Sequence, residues 1–443
     1  MSETVETAIP ELKTMTAEEI SATTRLHNYG TWRFQKTWKP MYIADAEGCY
    51  FIDGAGKRYL DLSAQLMCVN LGHKNPRVVE SIAEQARELT YVAPGYATKA
   101  RARLSEKLLE VLPAGLTKFF FATSGTEANE AAFKIARMYT GKTKIVSRYR
   151  SYHGSTMASI AATGDPRRWA MEPGGKGGGF IFAPETNCYD CPIKHTYPSC
   201  NIACADYIEH MIENESDVAA VILEPVVGTN GVLVPPPEYL PRIREICDRH
   251  GILLIFDEVI TGFGRTGSPF AAQEFEVQPD IMTVAKGLTN GCIPMGAVLV
   301  SKAIYDAFMQ GPDGIELFHG YTYSAHPAAC AAGLATLDIY QREGLLTRAK
   351  TLAQHWEEAA HSLRGLPHVI DVRNYGLILG LELQSIPGKV GARAFEVYTK
   401  CFERGMLIRQ TADIIALSPP LIVEPAQIDQ IFTTLTEVLR AQQ

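Results

Sequence analysis

Between about Lys118 and Ser301 the chain alternates short apolar runs with amphipathic stretches. The runs are 118–122 (KFFFA), 144–146, 218–223 (VAAVIL), 251–256 (GILLIF), 281–285 and 297–300. Their apolar character is nearly continuous, as in strands covered on both faces. Between them, 126–137 (TEANEAAFKIAR) and 237–249 space their apolar residues as a helix does. The pattern predicts an α/β fold, with a large domain whose mostly parallel central sheet is covered by helices. The flanks differ. Residues 41–62 alternate around a Gly-rich turn, as a hairpin would. From Leu346 onward come a long helix, the strand-like VIDVRNYGLILGLEL and a closing helix near 426–440. The two ends are expected to form a smaller α+β domain. Residues 1–74 and 335–443 are assigned to it, and 75–334 to the large domain, with boundaries near Asn75 and Ala335.

Composition narrows the function. The 443 residues carry 42 Lys+Arg against 49 Asp+Glu, a net charge of −7, which argues against a nucleic-acid partner. Apolar residues at 46% and charged residues at 21% suit a folded globular chain. No apolar run approaches the roughly 18–20 residues needed to cross a bilayer, so no membrane partner is expected. The opening stretch MSETVETAIPELKTMTAEEI is acidic, without the features of a secretory or transit leader, so a cytoplasmic location is expected. Ten cysteines then read as free thiols.

Four of them, Cys188, Cys191, Cys200 and Cys204, fall within seventeen residues with His195 between the pairs. Zinc takes such ligands, but only eight residues separate the pairs, fewer than in zinc fingers and ribbons. An irregular surface excursion with free thiols is the plainer reading, and zinc binding stays open.

Three elements carry chemistry. Ser124-Gly125-Thr126 follows the KFFFA strand and opens a helix, where unpaired N–H groups and the dipole favour an anion. The same residues would also serve as a plain N-cap. Asp257 stands at the end of the GILLIF strand, where open α/β sheets bind ligands, though a cap or salt bridge would look alike. Lys286 follows the buried run IMTVA, 29 residues after Asp257, where an ammonium is not assured of water. Lys176 in PGGKGGG has no Ser/Thr after it and is no P-loop lysine; a loop is expected there. No nucleotide fingerprint occurs elsewhere. A phosphate cradle, an acid and a lysine together fit pyridoxal 5′-phosphate, which needs all three.

The segments FFFATSGTEANEAAFKIAR, YRSYHGST, VILEPVVG, LLIFDEVITGFGRTG, TVAKGL and HGYTYSAHPAAC, in this order, resemble the class III aminotransferases of the fold-type I pyridoxal-phosphate enzymes. The likeness runs from about Tyr42 to the C-terminal helix. LMCVNLGH and GMLIRQTADIIALSPPLI are most similar to the branch acting on ω-amino acids or amines with pyruvate. The resemblance implies that Lys286 forms the Schiff base and that Asp257 pairs with the ring nitrogen. Val259 and Tyr152 would cover the two ring faces. Ser124, Gly125 and Thr126 would hold the phosphate, joined by Thr322 from a second subunit, with Glu224 near the ring hydroxyl. Arg409 would receive the carboxylate of the 2-oxo acid; on bare sequence it would pass for a surface arginine, and Tyr152 for a core aromatic. Leu66, Met67, Tyr96, Tyr152 and Phe318 would form a mostly apolar pocket wall. Met67 stands where the branch often has Trp, which weakens any expectation of aromatic amines. The implied activity is transfer of an amino group from an ω-amine or ω-amino acid to a 2-oxo acid, pyruvate first, by alternating half-reactions in a homodimer or tetramer. An aminomutase or racemase on the same fold is the alternative.

Overall fold

The computed structural model describes residues 15–171, 179–311, 314 and 316–442. Lys176 lies outside the described residues. The N-terminal part gives β1 (Ile43–Glu47), β2 (Tyr50–Asp53) and β3 (Arg58–Asp61). The middle gives β4 (Leu116–Ala122), β5 (Lys144–Arg148), β6 (Phe180–Ala183), β7 (Val218–Leu223), β8 (Leu253–Asp257), β9 (Ile281–Val284) and β10 (Gly296–Ser301). The C-terminal part gives β11 (Val369–Tyr375), β12 (Ile378–Leu383), β13 (Met406–Leu407), β14 (Arg409–Thr411) and β15 (Ile414–Leu417).

The seven middle strands form one sheet in the order β4-β10-β9-β8-β7-β5-β6. Neighbours from β9 to β6 run parallel, and β10 is antiparallel to both β4 and β9. Strand β4 therefore points the same way as β9, and the carboxyl ends of β4, β5, β7, β8 and β9 share one edge. Ligands of open α/β sheets bind at such an edge.

Both faces are covered, which is why the runs read as continuous apolar stretches. Ala220, Ile222, Ile255, Ile281 and Val298 pack with Ala131, Phe133 and Ile135 of the helix Gly125–Thr140. Their strand neighbours Val221, Leu223, Leu254, Phe256 and Met282 join a second core with Leu240, Ile243 and Ile246 of the helix Tyr239–His250. Each such fully buried aliphatic side chain contributes about 1.5–3 kcal/mol of transfer free energy. Strand β6 lay hidden from periodicity because it is four residues long and follows a glycine tract.

The chain ends meet in a smaller sheet, order β1-β2-β3-β13, in which β13 pairs parallel to β3 through Met406–Leu60 and Leu407–Asp61. A third sheet, β11-β12-β15-β14, is wholly C-terminal. Asn75, near the first expected boundary, caps the helix Pro76–Glu88 by accepting from Arg77 N. Ala335, near the second, falls inside the unbroken helix Pro327–Arg342.

Candidate active site

A cavity of about 250 Å³ opens at the carboxyl-end edge of the large sheet. It gathers, from separate strand ends, Ser124, Gly125 and Thr126 after β4, Tyr152 after β5, Glu224 after β7, Asp257 and Val259 from β8 onward, Lys286 after β9, and Arg409 from β14. These sequence-predicted residues span 286 positions of the chain; the parallel strand order unites all but Arg409, which the third, antiparallel sheet brings to the cavity.

Ser124 caps the helix Gly125–Thr140, its hydroxyl accepting from Glu127 N at 3.2 Å. The Gly125 and Thr126 N–H groups have no acceptor among the described residues, as the first turn of a helix leaves them. Space here is tight. A Cβ on Gly125 would lie 2.8 Å from Val259 Cγ2, and one on Gly154 would lie 2.6 Å from Thr126 Oγ1. Glycines at both places keep the backbone close to whatever the N–H groups hold.

Asp257 is buried and anchored. Its Oδ2 accepts from Asn129 Nδ2 at 2.8 Å and lies 2.7 Å from His153 Nδ1. A carboxylate only accepts, so that His153 nitrogen donates. Asn129 also donates to His153 O at 2.8 Å and accepts from Thr283 Oγ1 at 2.8 Å. Val259 N donates to Asp257 Oδ1 at 3.1 Å. Glu224, also buried, accepts from Tyr152 N at 3.0 Å and Gly228 N at 3.1 Å. Burial raises its pKa, with the His153 ring opposing that shift and the Asp257 carboxylate adding to it.

Lys286 adopts φ 44°, a left-handed value that is strained for a side chain of this kind. No hydrogen bond or ion pair holds its Nζ among the described residues. Burial lowers its pKa against smaller opposing effects of Cys68 and Asp257. Burial likewise lowers that of Arg409, and the nearby Arg167 cation adds to the shift. Arg409 Nη2 reaches Thr229 O at 3.5 Å.

Other expected wall residues stand elsewhere. Leu66 lines the cavity and is 60% exposed, whereas Met67 is 2% exposed and packs with Val226, Val232, Ile260 and Ile378. The reason is local: Ala64, Gln65, Leu66 and Met67 all have positive φ, a left-handed turn that sends neighbouring side chains opposite ways. Met67 is therefore corrected from pocket wall to core. Phe318 and Tyr96, at 74% and 67% exposed, and Thr322, also exposed, do not line this chain's cavity.

Sequence reasoning missed Asn129, His153, Arg167 and Trp32, all of which line the cavity. Asn129 left a signal, a polar residue on the Ala-rich face of its helix. Arg167 and Trp32 left none, since both fall outside strand ends and motifs.

The four clustered cysteines and His195 border a separate void of about 20 Å³. Among the described residues only Glu209, Glu213 and His250 bring three potential ligand atoms within 4.8 Å of one another. A tetrahedral Cys₄ zinc site needs sulfurs about 3.8 Å apart, from Zn–S bonds near 2.3 Å. Among the described residues no three of these thiols lie within 4.8 Å of one another. Among the described residues no helix is long and apolar enough to cross a membrane.

An open helix start for a phosphate, a buried carboxylate for a protonated ring nitrogen and an unpaired buried amine for an aldehyde are the donor set that pyridoxal 5′-phosphate requires, and they share one cavity. Comparison with known proteins agrees. The pattern of the family "Aminotransferase class-III" matches residues 34–439. The chain is 46% identical to an omega-aminotransferase of Caulobacter vibrioides over 414 residues, covering 90% of this chain and 93% of that one. It is 39% identical to an omega-amino acid–pyruvate aminotransferase of Pseudomonas putida, covering 90% and 92%. Among solved structures it superposes with a TM-score of 0.89 on a taurine:2-oxoglutarate aminotransferase from Bifidobacterium kashiwanohense in complex with PLP and glutamate. That pair shares 36% identity over 96% of this chain and 98% of the other. The chain belongs to the class III aminotransferases, in their ω-transaminase family, and is a pyridoxal-phosphate-dependent enzyme.

Proposed function

We propose that the enzyme moves an amino group from an ω-amine or ω-amino acid to a 2-oxo acid, with pyruvate the preferred acceptor, in two half-reactions that use one cavity in turn. The observation that carries this is the buried, unpaired amine of Lys286 beside Asp257, with Arg409 lining the same cavity. When bound, the cofactor supplies an electron-withdrawing ring that stabilises charge left on carbon after a proton departs. Ser124, Gly125 and Thr126 would hold its phosphate, Asp257 its ring nitrogen and Lys286 its aldehyde carbon, with Val259 and Tyr152 against the ring and Glu224 near its hydroxyl.

Lys286 Nζ would take the proton from the amine-bearing carbon of the donor and deliver it onward within the same half-reaction, and the second half-reaction would run this transfer in reverse. A lysine does this well only if its pKa is brought towards about 7–8, and burial acts in that direction. Asp257 keeps a proton on its partner nitrogen, with Asn129 and His153 fixing the carboxylate. Arg409 orients the 2-oxo acid by a charge-assisted contact with its carboxylate. The preference for pyruvate is supported by the Pseudomonas putida relative, whereas the Bifidobacterium kashiwanohense enzyme is a taurine:2-oxoglutarate aminotransferase.

The working unit is proposed to be at least a homodimer. The exposure of Phe318, Tyr96 and Thr322 supports a role for them in a neighbouring subunit's site. A panel of amines and ω-amino acids with pyruvate, read by alanine formation, tests the reading. Alanine should form with several donors and exceed the glutamate formed from 2-oxoglutarate. Isomerisation of a single amino acid without any acceptor, and no alanine, would overturn it in favour of an aminomutase or racemase.

A further inference from the structure

Between β7 and the helix Tyr239–His250 the chain makes a tight excursion at the edge of the cavity. Val227 and Leu233 exchange backbone hydrogen bonds at 3.0 and 3.1 Å and close a hairpin whose tip is 228–232. Thr229 lines the cavity, and Thr229, Asn230 and Val232 are buried, so their carbonyls need donors from the protein. The tip is strained. Gly231 has φ 106°, and Val232 has φ 53°, a left-handed value that a β-branched residue rarely adopts. Such a backbone persists only where its surroundings hold it.

Side chains do the holding, since each carbonyl from 229 to 232 accepts from one. Arg150 Nη2 donates to Asn230 O at 3.0 Å. Arg373, on β11, donates from Nε to Gly231 O at 2.8 Å and Val232 O at 3.0 Å, and from Nη2 to Gly231 O at 2.6 Å. Its Nη1 is taken by the Asp371 and Glu382 carboxylates at 2.6 and 2.7 Å. The two carboxylates fix the fork from behind and leave its other edge on the two strained residues. The sheet is shaped to this contact: a Cβ on Gly380 of β12 would lie 2.9 Å from Gly231 O.

The tip in turn restrains Arg409. Pairing of β14 with β15 fixes the Arg409 backbone, but not the long side chain that leaves it. Among the described residues the guanidinium makes one hydrogen bond, from Nη2 to Thr229 O at 3.5 Å. Thr411 Oγ1 donates to the same carbonyl at 3.3 Å. From this we infer that Arg373 is a positioning residue for the 2-oxo acid: by clamping the strained tip it keeps the Thr229 carbonyl where it turns the Arg409 guanidinium into the cavity. Arg373 does not itself line the cavity, so its effect passes through the tip. The inference rests on the transaminase reading above, with Arg409 as the partner of the carboxylate.

The test follows alanine formation from butylamine and pyruvate, with each substrate varied in turn. In alternating half-reactions each substrate has its own kcat/KM. Arg373→Met should lower kcat/KM for pyruvate about tenfold, mainly through KM, as a misdirected charge-assisted contact would. The value for butylamine, which carries no carboxylate, should stay within about twofold. Arg373→Lys keeps the charge without the fork and should fall between. Thr411→Val loosens the same carbonyl without touching the ion pairs and should lower the pyruvate value about threefold, so it carries the test if Arg373→Met does not fold. Added to Arg409→Ala, Arg373→Met should cause no further loss with pyruvate. Unchanged pyruvate kinetics, equal losses for both substrates, or losses that multiply in the double variant would overturn the inference. If the unaltered enzyme formed no alanine, or Arg409→Ala left pyruvate kinetics unchanged, the transaminase reading or its carboxylate assignment would have failed instead.

Discussion

Replacing Asn129 by alanine removes three hydrogen bonds at once, all at buried atoms. Asp257 Oδ2 and His153 O each lose a donor at 2.8 Å, and Thr283 Oγ1 loses its acceptor at 2.8 Å. A bond to a charged group contributes about 1.5–3 kcal/mol, and an orphaned buried polar group costs about 1–3 kcal/mol. With partial relaxation the folded enzyme should lose about 3–5 kcal/mol. The lost donor had also fixed the Asp257 carboxylate toward the ring nitrogen it would pair with, so the cofactor should be held less firmly. Urea unfolding followed by circular dichroism reads the first effect, and retention of cofactor through dialysis reads the second. Thr283→Val breaks one of the three bonds and should cost less. If Asn129→Ala stayed within about 0.5 kcal/mol of the parent, roughly the scatter of surface substitutions, the network would not hold Asp257 as described.

Two further outcomes follow from the same geometry. Burial raises Glu258 to a pKa of about 7, against donors from Thr261, Ala271 and Ala272. A carboxyl whose folded pKa lies above its unfolded value binds more protons when folded, so its share of stability falls as pH rises from about 4.5 to about 7, by about 3 kcal/mol. Unfolding titrations across that window should be flatter for Glu258→Gln, and an identical slope would refute the assignment. Gly296→Ala places a Cβ 2.4 Å from Ser124 O, a backbone atom that must move. Displacing the start of the helix Gly125–Thr140 should weaken cofactor binding more than tenfold in equilibrium dialysis, and unchanged affinity would exclude Ser124 and its neighbours as the phosphate cradle.

What the sequence disclosed and what it hid follow physical lines. Ser124, Asp257 and Lys286 stood out because each ends a continuous apolar run, and the end of a buried parallel strand is where a ligand meets the sheet. The hairpin at 41–62 and the strands of VIDVRNYGLILGLEL were visible for the same reason, as local periodicity. Met67 was misjudged because nothing in LMCVNLGH announces a left-handed turn, and one residue of backbone rotation exchanges pocket for core. Arg167 and Trp32 were invisible because 135 positions separate them and only the tertiary fold brings the guanidinium onto the indole. Phe318, Tyr96 and Thr322 are exposed and do not line this chain's cavity, and periodicity along the chain carries no trace of where exposed residues act.

Every proposed step depends on the buried amine of Lys286 being the attachment point of the cofactor. Borohydride treatment of the cofactor-loaded enzyme, followed by peptide mass mapping, tests it directly. A single pyridoxyl-modified peptide is expected, with the label on Lys286, and none in Lys286→Ala. A label on any other lysine, or an unmodified Lys286 in protein that retains the cofactor, would contradict it.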